Sequence, residues 1–225
     1  MGSNDRDEST PPAPGRPLLH GYTNTSWRQG DRICKRYLGL DALARLRVEV
    51  ASIQAVAATV PAPAVIDVAE ADLLVVFAFV PGRQGQDLID DGQGAPVLRA
   101  TGRTLRRLQA DHPRLAHGDY GPQNLLFEPE RLDVVAVLDW EFAHQGDEVE
   151  DLAWAEWIVR MHHPHAVVHV DALFDGYGER PPWPDRQAAM ITRCEVLLKR
   201  SEVAGEQVAV DLWRERTATT HGWRE

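Results

Sequence analysis

The sequence predicts an α+β chain of two lobes: a small antiparallel sheet with one helix, then a mainly helical lobe, divided near Pro81. Three observations predict it. Residues 18–80 read as short apolar runs broken by turn residues, interrupted by one stretch with apolar positions three and four apart. Residues from 95 onward are dominated by helical periodicity. Between the helices lies a second hairpin pattern, residues 117–139, carrying an unusual density of polar side chains. A length of 225 residues allows one or two domains. The expected divisions are a disordered leader at 1–16, a sheet lobe at 17–80 and a helical lobe at 81–225.

The leader is polar and Pro-rich, without periodicity. Residues 26–29 and 32–37 flank Gly30-Asp31, which reads as a hairpin turn. A polar run, Thr23, Asn24, Thr25 and Ser26, precedes the first strand; hydroxyls and backbone N–H groups can cradle phosphate oxygens there. Residues 41–58 form a helix with Leu43, Leu46, Val50, Ile53 and Ala57 on one face and Asp41 as expected N-cap. Glu49 falls at the edge of that face. Val60-Pro61-Ala62-Pro63 breaks the helix. Residues 64–68 and 73–77 read as strands, 83–94 as a loop or short helix, and 95–110 as a helix. Beyond Asp151 come helices over 152–161, 166–177, 185–202 and 205–219, with Pro181-Pro182-Trp183-Pro184 as a rigid connector.

The chemistry concentrates in residues 117–151. A loop, His117-Gly118-Asp119-Tyr120-Gly121-Pro122-Gln123-Asn124, leads into the apolar run Leu125-Leu126-Phe127. After a polar turn a second run, Val134 to Leu138, ends on Asp139. Paired as a hairpin, these runs bring Asn124 beside Asp139, with Asp119 just before them. Two carboxylates and an amide oxygen are hard ligands that suit Mg²⁺, which takes one or two carboxylates plus substrate phosphates.

H-G-D-x-x-x-x-N followed by a strand-end Asp resembles the catalytic and metal loops of the aminoglycoside phosphotransferase and choline kinase group, small-molecule kinases of the protein-kinase-like fold. Asp139-Trp140-Glu141 stands where protein kinases carry D-F-G. Gly146-Asp147-Glu148-Val149-Glu150-Asp151-Leu152-Ala153 is similar to that family's G-D-P-x-x-D-L-A, with Glu148 in place of proline. The resemblance implies a kinase-like two-lobe fold and transfer of the ATP γ-phosphoryl, with GTP as the alternative nucleotide, to a small-molecule hydroxyl. It implies that Asp119 is the catalytic base and that Asn124 and Asp139 hold Mg²⁺. Lys35, one of only two lysines in the chain, would pair the phosphates and be set by Glu49. Phe77 and Phe79 would flank the adenine-binding hinge. His117 and Asp151 would support the catalytic loop.

One departure bears on the acceptor. The family's helical insertion before the catalytic loop is missing, because residues 111–116 run straight into His117. Specificity then falls to residues after Asp151, or the site is unusually open. With a net charge of −10, a cationic acceptor, an antibiotic such as an aminoglycoside among them, is expected, and Glu156, Asp171, Asp175, Glu195 and Glu202 are the candidate acids. The same charge argues against nucleic acid. No run is long enough to span a bilayer. Two widely separated cysteines fit a cytoplasmic setting, as a monomer or homodimer. Three other readings remain: a kinase of a protein or of a biosynthetic precursor peptide, for which residues 139–151 leave too little chain; a nucleotide-binding pseudokinase; and a purely structural protein. The last two would not need all five polar residues.

Overall fold

The computed structural model describes residues 16–17 and 24–225. The expected leader up to residue 15, and Thr23 of the phosphate-loop candidates, lie outside the described residues.

The chain begins with an antiparallel sheet. Strands β1 (Arg16–Pro17), β2 (Thr25–Gln29), β3 (Arg32–Arg36), β4 (Val65–Ala69) and β5 (Leu74–Ala78) are ordered β1-β2-β3-β5-β4. The β2–β3 hairpin turns at Gly30, whose φ of 64° suits glycine, and pairs Gln29 with Arg32. Helix α1 (Ala42–Val56) packs on the sheet through Leu46, Ile53 and Val56, all buried. Asp41 sits at its N-cap position but makes no side-chain cap bond. Its left-handed backbone (φ 56°) turns the carboxylate away, to 3.9 Å from Arg200.

After the sheet come β6 (Arg83–Gln84), α2 (Gly85–Asp90) and α3 (Gly94–Asp111). Strand β7 (Leu115–Ala116) then leads into the loop at His117. The expected hairpin forms from β8 (Leu125–Phe127) and β9 (Val134–Val137), in register Leu125 with Val137 and Leu126 with Ala136, with β6 added along its edge. Strand β10 (His144–Gln145) pairs with β7. The remainder is helical: α4 (Glu148–His162), α5 (Asp171–Tyr177), α6 (Trp183–Ala204) and α7 (Gln207–Gly222). A capping box between Asp147 and Glu150 fixes the start of α4. Helix α6 starts inside the Pro-rich connector rather than after it, because Pro184 sits in its first turn, where a missing N–H costs nothing. The result is a two-lobe, protein-kinase-like α+β fold.

Helices α3 and α5 meet where neither has a side chain in the way. A Cβ on Gly102 would lie 2.0 Å from the Leu173 carbonyl oxygen, and one on Gly176 would lie 2.0 Å from that of Arg99. Gly102→Ala must therefore push the helices apart, at about 1–3 kcal/mol for overpacking a tight core contact. Urea unfolding of the variant checks this; unchanged stability would show that the helices can separate freely.

Candidate active site

The site is assembled from both lobes by backbone tethers. The Leu138 N–H donates to the Asn124 carbonyl oxygen at 2.8 Å, which fixes Asp139 beside Asn124 at the open end of the β8–β9 hairpin. Asp139 has φ 65° and ψ 54°. A left-handed non-glycine residue is uncommon, and such strain collects at functional sites. The loop before it is braced by Asp151, whose two carboxylate oxygens accept the backbone N–H groups of His117 (2.6 Å) and Gly118 (2.9 Å). Burial pushes the Asp151 carboxyl above its ordinary range, against those two donors. Gly118 is required: its φ is 82°, and a Cβ would meet the Phe142 carbonyl oxygen at 2.3 Å. His117, fully buried, bridges the loop to the strand end through its Nε2 and the Leu138 carbonyl oxygen at 2.8 Å.

Asp119 is held at both oxygens. Trp154 Nε1 donates to Oδ1 at 2.8 Å, and Asn124 Nδ2 donates to Oδ2 at 2.9 Å. Burial raises its pKa, opposed by the Trp154 hydrogen bond and by the charge of Arg193. Asn124 therefore spends its amide N–H₂ on Asp119.

From the sheet, Lys35 Nζ lies 2.6 Å from Glu49 Oε2 and 2.5 Å from Asp139 Oδ1. Burial works against the ammonium, but Asp139, Glu49 and Glu141 outweigh it and hold its pKa above the ordinary lysine value. Burial likewise works against the Asp139 carboxylate, and Lys35 reverses it, leaving Asp139 below its usual range. Glu49 also accepts a hydrogen bond from Tyr37 Oη.

The sequence reading assigned no role to Glu141. Its Oε2 accepts from Arg45 at 2.6 Å and from Asn24 at 2.7 Å, and lies 3.8 Å from Lys35. Asn24 further accepts, at Oδ1, from Arg45 and from the Leu38 N–H. Both ends of its amide are thus engaged in tying the sheet to the Asp139 turn. Ser26 lines the cleft, whereas Thr25 is exposed and lies outside it. The strand alternation explains the difference, since successive side chains point to opposite faces. Phe77 and Phe79 also line the cleft, with Val80 between them and the crossing to β6.

Glu49, Asp139 and Glu141 present carboxylate oxygens within 4.8 Å of one another. Lys35 Nζ sits among these oxygens, and Asp139, the member beside Asn124, is the carboxylate that fits a Mg²⁺ ion whose shell is completed by phosphates.

Lys35, Glu49, Asp119, Asn124 and Asp139 line one cleft of about 1800 Å³, larger than the roughly 300–1,000 Å³ of a single-ligand pocket. Its far wall comes from residues after Asp151: Trp154 and Trp157 of α4, Arg193 and Arg200 of α6, and Trp213 and Arg216 of α7. Trp154 and Trp157 stack with centroids 4.3 Å apart. Burial, helped by Arg216, pushes the neighbouring His162 down to about 4, so it stands neutral at physiological pH.

None of the five acids expected to bind the acceptor lines this wall. Glu156 is fully buried and paired with Arg186 and Arg160, because its stretch of α4 is apolar on all sides and a carboxylate there needs a partner. Asp171 and Asp175 are exposed and pair with Arg180 and Arg99. Glu195 is exposed on α6, and Glu202 lies near Lys199 and Arg214.

A two-lobe kinase-like fold, with a buried Lys–Glu pair facing a carboxylate-rich loop, defines the class of phosphoryl-transferring enzymes. Comparison with known proteins gives the particular family. The model of the phosphotransferase enzyme family, APH, matches residues 14–114 and 105–189, and the chain belongs to that family. Solved structures share the fold. The GDP complex of aminoglycoside 2'-phosphotransferase-IIIa aligns with a TM-score of 0.70 over 95% of this chain and 93% of that one, at 12% identity. A thermostable APH(4)-Ia mutant bound to ADP and hygromycin B aligns at 0.68, over 91% and 92%, with 15% identity. A choline/ethanolamine kinase family protein from Mesorhizobium loti aligns at 0.66, over 92% and 88%, with 15% identity. Among curated proteins, acyl-CoA dehydrogenase family member 10 of Mus musculus is 49% identical over 41 residues, and family member 11 of Gallus gallus 44% over 45 residues. Those matches span only 4% and 6% of the two proteins.

Proposed function

We propose that the chain transfers the γ-phosphoryl group of ATP to a hydroxyl of a small molecule, with Mg²⁺, as a cytoplasmic enzyme. The observation that carries this reading is Asp119, a half-buried carboxylate pinned by Trp154 and Asn124, opening onto the same cleft as Lys35 and Asp139. Residues 17–80 would act as the nucleotide lobe and 81–225 as the lobe that carries the acceptor. Among the described residues no helix is long and apolar enough to cross a membrane.

Asp119 accepts the hydroxyl proton and orients that oxygen toward the γ-phosphorus. The new O–P bond forms as the bond to the β,γ-bridging oxygen breaks, and ADP leaves with the charge. The transition state is loose, so positioning and charge neutralisation supply most of the rate. Lys35, fixed by Glu49 and the Tyr37 hydroxyl, pairs the phosphates; Phe77, Phe79 and the backbone between them flank the base. Asp139 and the Asn124 amide oxygen would hold Mg²⁺, which neutralises phosphate charge when bound. Asp151 and His117 keep the loop in place.

An aminoglycoside acceptor, and with it antibiotic resistance, draws support from solved relatives that carry kanamycin or hygromycin B. GTP in place of ATP draws support from those that carry GDP.

The test is ADP release with Mg·ATP, and GDP release with Mg·GTP, across a panel of small alcohols that includes aminoglycosides. Saturable, Mg²⁺-dependent turnover with at least one acceptor is expected. Mg·ATP binding without transfer to any acceptor would favour a pseudokinase, and no nucleotide binding by the folded chain would overturn the reading.

A further inference from the structure

The far wall of the cleft is aromatic and positively charged. Arg193 lies with its guanidinium carbon 5.5 Å from the Phe142 ring centroid and 5.8 Å from that of Trp154. Arg200 lies 5.2 Å from Phe142; one of its Nη groups donates to the Leu40 carbonyl oxygen at 3.1 Å and the other stands 3.9 Å from Asp41, so it borders the wall as a partly engaged cation. Arg216 lies 4.7 Å from Trp213 and 5.8 Å from Trp157. Guanidinium groups stack well on such rings, because they are planar and weakly hydrated. The acids lining the cleft away from the phosphoryl-transfer end are Asp87 and the exposed Glu206.

Arg193 is the informative member. Its Nε is buried and has no hydrogen-bond partner. Asp119 and Asp151 attract its charge, yet their carboxylates are engaged elsewhere: Asp119 by Trp154 and Asn124, Asp151 by the backbone of His117 and Gly118. Arg193 lines the cleft and is only half-buried as a residue, and its one buried donor without a partner carries a desolvation penalty that a nearby acceptor would relieve. Its position fixes what could complete it. Trp154 donates to Asp119 through its indole N–H while its ring faces Arg193. A molecule presenting a hydroxyl to Asp119 therefore extends past Trp154 onto Arg193 and Arg200.

Building on the phosphotransferase reading, we infer that the acceptor alcohol bears an anionic group, a carboxylate or a phosphate, received by Arg193 and Arg200, with a flat or apolar body lying against the half-buried Leu197 and Trp213 of the same wall. Planar, bidentate recognition of such oxyanions is what arginine offers over lysine. The reading reverses the expectation from net charge and speaks against a polycationic aminoglycoside as the acceptor: the surplus acids sit in the core, as Glu156 does, or on the outer surface, and the wall facing the acceptor carries guanidinium groups.

The test uses three probes that differ only in charge: para-(hydroxymethyl)benzoate, the corresponding benzamide, and para-(hydroxymethyl)benzylamine. Each is titrated against the full chain in the presence of Mg·AMP-PNP, with binding read by isothermal calorimetry and tryptophan fluorescence. The carboxylate should bind at least about tenfold more tightly than the amide, and the ammonium compound most weakly. In Arg193→Gln and Arg200→Gln, checked for folding by circular dichroism, the preference for the carboxylate should shrink about tenfold while Mg·AMP-PNP affinity is kept. Equal binding of the three, preference for the ammonium, absence of binding by any of them at millimolar concentration, or a carboxylate preference that survives both substitutions would each overturn the inference. Failure of Mg·AMP-PNP itself to bind would instead count against the phosphotransferase reading.

Discussion

Asp119→Asn should reduce turnover by about 10²- to 10⁴-fold, the range that general-base and orienting groups contribute, while Mg·nucleotide affinity stays near that of the parent. Affinity is preserved because the phosphate contacts belong to other residues, Lys35 bonding to Glu49 and Asp139, and because Asn124 meets Asp119 through its N–H₂ group and not through the amide oxygen proposed for the metal. Turnover is lost because the carboxamide cannot take the acceptor proton. The amide is also a poor fit to its own pocket, since Trp154 and Asn124 both aim donors at position 119 and only one carboxamide atom can accept. A pH profile separates chemistry from structure. Burial holds Asp119 above its ordinary value, opposed by the Trp154 hydrogen bond, and the base works only when ionised, so turnover falls as pH drops through that raised value. Trp154→Phe removes a donor that favours the charged form and should move the acid limb to higher pH. A purely structural Trp154 would lower turnover without moving the limb. Turnover of Asp119→Asn close to the parent value would remove Asp119 from the mechanism.

What the sequence revealed was local. The β8–β9 hairpin and the convergence of Asp119, Asn124 and Asp139 follow from two apolar runs a few residues apart, and pairing them needs no long-range information. The Lys35–Glu49 pair was legible because a strand lysine and a helix-edge glutamate stand at kinase-like spacing. Glu141 was visible as the residue in place of the glycine of D-F-G, yet its partners Arg45 and Asn24 lie about a hundred residues earlier, beyond the reach of any periodicity. The acceptor wall failed for a different reason. Acids on amphipathic helices were chosen by residue type and net charge, and neither says which face of a helix turns inward. Glu156 did carry a readable warning: Leu152-Ala153-Trp154-Ala155-Glu156-Trp157-Ile158-Val159 is apolar all round, which marks a buried helix whose lone acid must be paired. Arg186, the partner that neutralises it, lies thirty residues further on.

Asp139→Ala should abolish turnover and remove the Mg²⁺ dependence of nucleotide binding. Lys35 outweighs burial and keeps the Asp139 carboxyl below its usual range, so the group is ionised throughout the physiological window and available to a divalent cation. It also joins the two ends of the site: Lys35 reaches it from β3, and the Leu138–Asn124 tether holds it beside the catalytic loop. Alanine would additionally have to adopt the left-handed backbone at φ 65°, at a cost of roughly 1–2 kcal/mol that aspartate and asparagine bear more easily. Asp139→Asn is therefore the cleaner variant. It keeps the shape and the backbone tolerance and removes only the charge, leaving Lys35 with Glu49 at 2.6 Å and Glu141 at 3.8 Å. Titration of ATP into the folded variant at increasing Mg²⁺ should show an affinity that no longer rises with the metal, with turnover at background. An affinity that still climbs with Mg²⁺ in both variants, together with retained turnover, would place the metal on other oxygens, with Glu49 and Glu141 the remaining members of the carboxylate cluster.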